Sequence, residues 1–473
     1  MGVSQLLNFD GGDTSESRLE RAARIKQQLS RELGTSALLS AAQAGAYAID
    51  GVVPSIVVRP ETPAAVAAAL EIATDMRAAV APWGGGTQLS LGYALARCDI
   101  VLLLDRLNAV AMHEPTMGTV TVGAGCTIAD LNAALAGTRH FVPLDGPLDH
   151  RATVGGRLAT GSTGLRRARY GNPREIVQGL HIAKSDGTLL HSGGAVGSDL
   201  PGYDLNKLFV GALGTLGIIV EATLKLSPLP VSEATVVAAF EDTSAIWSML
   251  DDLHAGQLPF AALVACGPGC LGAGRGLSDE HADLLQPAAH PLLIARLVGT
   301  PLAVRRNALV VRALALKYGA RLPLLLNDAP MLDLWSHVED FPDTLELYPT
   351  EAVLKVSVLP SEVGKVIEIV RGFCMEHDLR LGWSADAGAG CAWLRVVGSD
   401  ADDVERFGTG LRALQEMLAR RWRNAIVLGC APALKQRLAL WGADPQNIEL
   451  MRAIKRHFDP AGILNSGRFA AGM

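Results

Sequence analysis

The chain has 473 residues, of which 49% are hydrophobic and 19% are charged, and its formal net charge is −6. This composition favours a well-buried globular protein of two or three domains and excludes long disordered regions. A mildly acidic chain of this kind is not expected to bind nucleic acid or an anionic membrane surface.

Cysteine usage and hydropathy bear on the cellular compartment. Seven cysteines are scattered along the chain, and only Cys266 and Cys270 lie close together. An odd, dispersed set does not indicate a disulfide framework, and a lone close pair does not indicate a metal site. Residues 1–13 are polar and acidic, unlike a signal peptide. Since no uninterrupted apolar run is long enough to span a bilayer, we expect a cytoplasmic protein without a transmembrane segment.

The first elements alternate between helix and strand. Residues 1–40 indicate a loose arm followed by a surface helix, because apolar residues recur at helical spacing between charges. Residues 55–59 are apolar and β-branched, which indicates a strand. Thr62 and Pro63 then open a helix, since threonine caps helix starts and proline suits the first helical position.

A glycine-rich loop at residues 83–88 follows a short apolar strand. It reads Trp83-Gly84-Gly85-Gly86-Thr87-Gln88. Residues without a Cβ let another group approach the backbone, and consecutive exposed N–H groups form a nest that binds anions, phosphate above all. Thr87 and Gln88 add side-chain donors. A plain glycine-rich turn is the alternative, because short glycine motifs also recur by chance.

Two more strands are predicted at residues 100–104 and 119–122. The first is fully apolar, which indicates a central strand. The second runs into Gly123-Ala124-Gly125, and Thr127 then caps a helix in a pattern close to a capping box. The third glycine of a dinucleotide fingerprint is missing, because Ile128 stands there. A nicotinamide-binding Rossmann unit is therefore poorly supported.

Residues 152–174 are rich in glycine and threonine and end in a basic run. The small residues at 154–164 allow close packing against a flat ligand, and their hydroxyl groups are able to hydrogen-bond it. The alternative is a tightly packed backbone crossing. Runs of charge are usually solvated. The basic residues are Arg166, Arg167, Arg169 and Arg174.

The pattern changes after Pro228 and Pro230, where we place a domain boundary. Beyond it, predicted strands such as 236–240 and 353–358 alternate with helices, which indicates an α+β second domain with an antiparallel sheet. Residues 445–458 form an amphipathic helix that ends before Pro460, since proline disfavours helix continuation.

A set of ordered motifs between about residues 40 and 470 resembles FAD oxidoreductases of the vanillyl-alcohol-oxidase type, also called the PCMH type. The final motif, Phe458 to Arg468, is similar to the C-terminal signature of the glycolate oxidase and D-lactate dehydrogenase branch. The earlier motifs lie at residues 83–88, 143–145, 152–160, 169–171, 186–188 and 211–219.

The resemblance implies an α+β fold in two parts. One part is a PCMH-type FAD-binding domain of two α+β subdomains, and the other is an α+β cap domain built on an antiparallel sheet. The implied boundaries are 1–40 for an N-terminal arm and helix, 41–230 for the FAD-binding domain, 231–440 for the cap, and 441–473 for a C-terminal helix and tail that return to the FAD-binding domain.

FAD is the implied cofactor, held without a covalent bond. Some relatives bind FAD covalently through a histidine in the glycine loop, and the matching position here is Thr87, which has no suitable nucleophile. The residues implied to bind FAD are Trp83, Gly84, Gly85, Gly86, Thr87, Gln88, Pro143, Asp145, Thr153, Gly155, Gly156, Ala159, Thr160, Ser162, Thr163, Gly164, Tyr170, Gly217, Ile218 and Ile219.

The cap departs from the pattern of catalytic relatives. Those relatives carry metal-binding motifs and a proton acceptor, whereas residues 384–391 and 429–433 offer no pair of suitable ligands here, so no metal is implied. Relatives also place an arginine that clamps the substrate carboxylate about where Val338 stands. His337 beside it is a weak candidate for the catalytic base, although a lone histidine is more often structural.

The resemblance implies an FAD-dependent oxidoreductase of the glycolate-oxidase type, which oxidises a 2-hydroxy acid or carries electrons as a flavin subunit. The missing motifs resemble the smaller flavin subunit of bacterial glycolate oxidase, which works beside a catalytic flavin subunit and an iron–sulfur subunit. Such partners would hold the chain at the periphery of the inner membrane. The alternatives are a self-sufficient FAD dehydrogenase for another alcohol or acid, and a flavin-free assembly subunit.

Overall fold

The computed structural model describes residues 15–194, 204–268, 270, 290–422, 424–443 and 445–473. Within these residues the strands form sheets of three, two, five and eight strands. The strands are β1 (Ile56–Val58), β2 (Val80–Trp83), β3 (Ile100–Leu103), β4 (Val110–Glu114), β5 (Thr119–Gly123), β6 (His140–Phe141), β7 (Val177–Ala183), β8 (Leu189–Gly193), β9 (Ile218–Lys225), β10 (Ser227–Pro228), β11 (Ser232–Ala239), β12 (Phe260–Cys266), β13 (Leu292–Gly299), β14 (Arg321–Leu326), β15 (Glu351–Ser357), β16 (Leu379–Asp386), β17 (Cys391–Gly398) and β18 (Ala425–Cys430).

Helices connect and cover these sheets. No helix in the described ranges is both long enough and apolar enough to cross a membrane. The helices are Ser15–Leu33, Ala41–Ala44, Pro63–Asp75, Ile128–Leu135, Val154–Thr160, Arg167–Tyr170, Pro173–Ile176, Asn206–Phe209, Thr243–Ala255, Pro301–Lys317, Asp328–Asp340, Val363–Glu376, Val404–Arg421, Pro432–Lys435 and Ile448–Phe458.

The three-stranded sheet is parallel and has β3 between β1 and β2. Every residue of β3 is buried, so the predicted central strand is confirmed. The predicted helix starts are confirmed as well. Thr62 Oγ1 accepts the N–H of Ala65 at 3.1 Å, and Thr127 Oγ1 accepts the N–H of Asp130 at 3.1 Å. These bonds satisfy backbone donors that a helix start leaves without a partner.

The five-stranded sheet is antiparallel in the order β4-β5-β9-β7-β8. The helices Ile128–Leu135 and Val154–Thr160 pack on it, and their apolar residues share one core with those of β5, β7 and β9. Sequence patterns do not predict the second of these helices, which begins at Thr153. Its hydroxyl accepts the N–H of Gly156 at 3.2 Å and so caps the first turn.

The eight-stranded sheet is antiparallel in the order β14-β11-β13-β12-β16-β17-β15-β18, as predicted for the second part of the chain. On one face lie the helices Thr243–Ala255, Pro301–Lys317, Val363–Glu376 and Val404–Arg421. The opposite face packs against Leu165 and the helix Asp328–Asp340. Trp335 anchors that helix, because it is 2% exposed and its Nε1–H donates to Thr235 Oγ1 at 2.8 Å.

The C-terminal tail returns to the three-stranded sheet. After the helix Ile448–Phe458, Ile463 O accepts the N–H of Val80 at 2.8 Å, and the N–H of Asn465 donates to Val80 O at 2.9 Å. Leu464 thereby pairs in parallel with β2, directly before the glycine-rich loop. The tail is thus placed beside the functional site described next.

Candidate functional site

A cleft of about 770 Å³, open to solvent, lies between the glycine-rich loop and the helix Val154–Thr160. The residues predicted from the sequence that line it are Gly84, Gly85, Gly86, Thr87, Gln88, Thr153, Gly155, Gly156, Ala159, Thr160, Ile218 and Ile219. Its other lining residues, which sequence reasoning missed, are Pro82, Leu89, Leu104, Leu213, Gly214, Asn465 and Arg468.

The glycine-rich loop leaves its backbone donors unused. None of the N–H groups from Gly84 to Gln88 donates a hydrogen bond to a residue that the structure describes. Buried or half-buried backbone donors are nearly always paired in proteins, with a ligand where no protein group serves. Consecutive free N–H groups beside a cleft therefore suit an anion.

The glycines of this loop are required by close packing. A Cβ at Gly84 would lie 2.2 Å from Thr153 Oγ1, and one at Gly85 would lie 1.7 Å from Arg151 O. The loop therefore presses directly on the segment that starts the helix Val154–Thr160. Close packing thus accounts for the glycines, and binding of an anion by the free N–H groups stays a prediction.

Arg468 adds a buried positive charge to the cleft. The residue is 4% exposed, and its Nε donates to Leu91 O at 3.0 Å. Its two terminal nitrogens are buried and have no hydrogen-bond partner among the described residues. Burial lowers the pKa of Arg468, but an arginine side chain remains charged in a protein. The cleft thus offers a cation and free N–H donors to an anionic ligand.

The remaining predicted cofactor residues lie outside the lining of this cleft. Ser162 contacts a lining residue, since its hydroxyl accepts from Gln88 Nε2 at 2.9 Å. Trp83 packs edge-on against Tyr47, with 5.1 Å between ring centres. The others are Pro143, Asp145, Thr163, Gly164, Tyr170 and Gly217.

A second group of polar residues lies where residues 145–167 meet the eight-stranded sheet, and we call it the charged seam. Gln88 connects the cleft to it, because Ser162, its hydrogen-bond partner, lies 3.4 Å from Arg157 Nη1. Leu148 N donates to Asp340 Oδ1 at 2.6 Å across the seam. The seam consists of Asp145, Asp149, Arg157, Arg166, Arg167, Arg296, Glu339 and Asp386.

Burial shifts the acids of the charged seam strongly. Burial, together with the nearby carboxylate of Asp145, raises the pKa of Asp149 to about 6, of Asp386 to about 7 and of Glu339 to about 8. The neighbouring arginines oppose these shifts. The pKa of Arg166 is itself raised, because surrounding carboxylates outweigh the effect of burial. Such shifts are typical of functional sites.

Two segments of the chain match known protein families. Residues 54–193 match a family model described as the FAD binding domain. Residues 434–469 match a second model, described as the C-terminal domain of FAD linked oxidases. The first match contains the glycine-rich loop and the helix Val154–Thr160, and the second contains Arg468.

Similar proteins extend over nearly the whole chain. It is 27% identical over 435 residues to the glycolate oxidase subunit GlcD of Bacillus subtilis, covering 88% of this chain and 89% of that protein. It is 26% identical over 427 residues to the D-2-hydroxyglutarate dehydrogenase of Xanthomonas citri pv. viticola, covering 88% and 89%. The structure of p-cresol methylhydroxylase superposes with a TM-score of 0.72 at 16% identity, covering 95% and 96%.

The chain is an FAD-linked oxidoreductase. Its fold is of the PCMH type, as the sequence motifs predict, and FAD is its cofactor. The prediction of a flavin-free assembly subunit therefore loses its basis.

In this oxidoreductase the hairpin between β16 and β17 stands where the sequence resemblance places the metal motif of relatives, and here it makes a structural contact with Arg167. Asp386 Oδ1 accepts the N–H groups of Gly388 and Ala389, both at 3.0 Å. Its other oxygen lies 3.7 Å from Arg167 Nε, and Arg167 Nη2 donates to Ala389 O at 2.6 Å. In the part of the chain that the structure describes, no three His, Cys, Asp or Glu side chains are close enough to hold a metal ion.

His337, the predicted candidate for a base, lies on the helix Asp328–Asp340 of the oxidoreductase. Its Nδ1 donates to the carbonyl of Asp333 at 2.7 Å, one turn earlier in the same helix. The residue does not line the cleft. Glu339, two positions later, belongs to the charged seam, and sequence periodicity alone does not show which of the two faces the site.

Proposed function

We propose that this oxidoreductase oxidises a small 2-hydroxy acid, with FAD held non-covalently in the cleft. One observation carries the proposal. The cleft combines unused anion-binding donors with a direct hydrogen-bonded connection, through Gln88 and Ser162, to a seam of buried charged groups. The cleft suits a cofactor with a pyrophosphate, and the charged seam suits a small charged substrate.

The residues of the cleft fit FAD. The N–H groups from Gly84 to Gln88 and the guanidinium of Arg468 would hold the pyrophosphate, because they are unpaired donors beside one another. Ala159, Ile218 and Ile219 would provide apolar contacts to a flat ring. When bound, FAD supplies a two-electron acceptor. Thr87 stands where some relatives attach FAD through histidine, so no covalent bond forms there.

The substrate class is inferred from the relatives. A glycolate oxidase subunit and a D-2-hydroxyglutarate dehydrogenase act, by their names, on 2-hydroxy acids, and each aligns with 88% of this chain. Both substrates share a carboxylate next to a hydroxyl-bearing carbon. Arginine side chains of the charged seam provide the charge that such a carboxylate requires.

An anaerobic titration of the FAD-loaded protein tests the proposal. Glycolate, D-lactate and D-2-hydroxyglutarate are added in turn while the visible flavin absorbance is recorded. We expect one of these acids to bleach the flavin bands. If dithionite bleaches them and no acid does, oxidation of 2-hydroxy acids by this chain is contradicted.

Acid precipitation of the same protein tests how FAD is held. We expect all yellow colour to remain in the supernatant, as unmodified FAD by mass spectrometry. Flavin that stays with the precipitated polypeptide would contradict the assignment of Thr87 as a non-attaching position.

A second candidate function is that of an electron-carrying flavin subunit beside a catalytic flavin subunit and an iron–sulfur subunit. The observation that favours it is the hairpin at Asp386, which makes a structural contact with Arg167 where catalytic relatives have metal ligands. A flavin that only dithionite or a reduced partner protein bleaches would support this second candidate.

A further inference from the structure

Arg166 is the arginine of the charged seam whose side chain makes no hydrogen bond to the described residues. Its side chain is 16% exposed, and its one ionic contact is Nε to Asp145 Oδ2 at 3.4 Å. The guanidinium also lies over the ring of Phe141, 5.2 Å from the ring centre. The guanidinium makes no hydrogen bond to any residue within the described ranges, and its Nε is a buried donor without a partner. A guanidinium carries five N–H donors, so this one has most of its binding capacity free.

The side chain of Glu339 likewise makes no hydrogen bond to the described residues. One of its carboxylate oxygens is buried without a hydrogen-bond partner, and no cation of the described residues lies within ion-pair distance of it. Leu165 and Val338, the chain neighbours of Arg166 and Glu339, pack in one hydrophobic cluster, which brings the two segments together. Arg166 is the cation that opposes the raised pKa of Glu339 most strongly. A buried carboxylate without a partner is unfavourable unless a ligand or water completes it.

The other charges of the seam are engaged. Arg157 Nη2 binds Asp149 Oδ1 at 2.7 Å, Arg296 Nη2 binds Glu233 Oε2 at 3.0 Å, and Arg167 Nη2 binds the carbonyl of Ala389. Arg157 Nε, Arg167 Nε and Asp386 Oδ2 are also buried without a partner, but each of these side chains makes another hydrogen bond. Arg166 and Glu339 are therefore the cation and the acid of the seam whose side chains make no hydrogen bond within the described residues. The seam connects to the cleft through Arg157, Ser162 and Gln88.

We propose that Arg166 and Glu339 form the substrate site, in which Arg166 binds the carboxylate of a 2-hydroxy acid and Glu339 accepts the proton of its hydroxyl group. This inference rests on the proposed 2-hydroxy-acid oxidation. Glu339 would take the proton as the O–H bond breaks and a C=O bond forms, and bound FAD would supply the acceptor for the C–H hydrogen and its electron pair. One 2-hydroxy acid and one oxidised flavin become one 2-oxo acid and one reduced flavin.

The surroundings of Glu339 suit a proton acceptor. Burial and the carboxylates of Asp145 and Asp149 raise its pKa to about 8, against the opposing effect of Arg166 and Arg296. A group that exchanges its proton near the working pH is an effective general base. Only the carboxylate form accepts a proton, so oxidation accelerates as pH rises through about 8.

Variants of Arg166 test the carboxylate contact without turnover. Oxalate, which flavin cannot oxidise by hydride transfer, is titrated into the FAD-loaded protein and its affinity measured by calorimetry. We expect Arg166→Met to weaken oxalate binding by about 10- to 100-fold, since a charge-assisted contact is lost, and Arg166→Lys to weaken it less. Arg305→Met, on the exposed surface of the helix Pro301–Lys317, is the control.

Glu339→Gln tests the proton acceptor. We expect this variant to retain its FAD and to bind oxalate as wild type does, while flavin reduction by the best acid slows by at least about 100-fold. The rise in rate with pH should disappear. Asp333→Asn makes the same charge change on the exposed side of the same helix and should leave the rate and its pH profile unchanged.

The outcomes separate this inference from the function on which it rests. If an acid reduces the wild-type flavin and Glu339→Gln is reduced equally fast, the assignment of Glu339 is overturned and the proposed function stands. Unchanged oxalate affinity in Arg166→Met, or no oxalate binding by wild type, overturns the assignment of Arg166. If no acid reduces the wild-type flavin, both the function and the inference fall.

Discussion

At the scale of single residues, Arg468 holds a buried charge in a setting that protein groups alone leave incomplete. Its terminal nitrogens have no partner in the described chain, while its Nε is fixed by the carbonyl of Leu91. Unpaired charged donors in a buried site cost free energy. The side chain is therefore held in place by the fold, and we expect an anion bound in the cleft to stabilise it.

Replacing Arg468 should weaken cofactor binding specifically. We expect Arg468→Met to lower the affinity for FAD by about 10- to 100-fold, because one charge-assisted contact to the pyrophosphate is lost. Quenching of FAD fluorescence on titration with apoprotein measures the change. Arg456→Met, at an exposed position of the helix Ile448–Phe458, is the matched control. Equal affinities in wild type and Arg468→Met would show that the guanidinium does not contact FAD.

Glu339 should make stability depend on pH in an unusual direction. Its pKa is raised from 4.5 to about 8 in the folded protein, so the fold keeps a proton that the unfolded chain releases in this interval. The free energy of unfolding therefore falls as pH rises from 4.5 to 8 and stays lower above that range. We expect Glu339→Gln apoprotein to melt roughly 2–4 °C or more above wild type at pH 9 and equally at pH 4. A constant difference at both pH values would contradict this account.

At the scale of elements, the hairpin between β16 and β17 joins the two parts of the chain. Asp386 caps its turn through Gly388 and Ala389, and Arg167, at the start of a short helix after the cleft, binds the same turn. The position of a catalytic motif in relatives thus carries a packing contact here. The short helix and the eight-stranded sheet are fixed relative to each other by this contact.

Two substitutions of Asp386 separate capping from charge. Asp386→Ala should destabilise the protein by about 2–4 kcal/mol, because two backbone donors and Arg167 lose their acceptor in a buried site. Asp386→Asn keeps an oxygen at the capping position and should cost about 1 kcal/mol or less. Urea unfolding followed by tryptophan fluorescence gives both values. Equal losses in the two variants would mean that the charge, not the cap, stabilises the hairpin.

Elements with strong local signals were predictable from the sequence. Thr62 and Thr127 begin helices as their side chains indicate, and β3 is central as its apolar run indicates. The helix Val154–Thr160 was not predictable, because Gly155 and Gly156 disfavour a helix interior. Tertiary packing decides there, since a Cβ at Gly155 would lie only 2.7 Å from the Cβ of Ala124.

At the scale of the whole molecule, the candidate site depends on segments far apart in sequence. The composition of the glycine-rich loop makes it predictable from the sequence. Arg468 is not predictable in this way, because only the pairing of the tail with β2 brings it to the cleft. Glu339 stands two positions from His337 on one helix, and only the packing of that helix against the sheet selects it. Local patterns therefore predict the cofactor loop and leave the charged partners undetermined.

A buried ion pair also connects distant parts of the chain. Lys435 Nζ lies 2.7 Å from Asp50 Oδ1 and donates to Ser90 O at 2.7 Å, and both charged side chains are almost fully buried. Burial lowers the pKa of Lys435, while Asp50 opposes this shift. The short helix Pro432–Lys435 is thereby held to the segment that follows the glycine-rich loop.

Replacing one partner of this ion pair should destabilise the protein far more than replacing both partners. We expect Lys435→Met to destabilise the protein by about 3–5 kcal/mol, because Asp50 then remains buried and uncompensated. The double variant Asp50→Asn with Lys435→Met should recover most of the loss. Thermal unfolding of the three proteins at pH 7 measures the difference. A double variant no more stable than Lys435→Met would show that packing, rather than the unpaired charge, causes the loss.

The pairing of the tail with β2 has a consequence for the order of folding. Val80 and Leu464 meet only after nearly the whole chain has collapsed, since contacts between distant residues form slowly. Until then the cleft lacks Asn465 and Arg468, although its glycine-rich loop is local and quick to form. In a refolding experiment, helical circular dichroism should return first and flavin fluorescence should be quenched last. Binding of FAD during refolding thus indicates that the C-terminal tail has paired with β2.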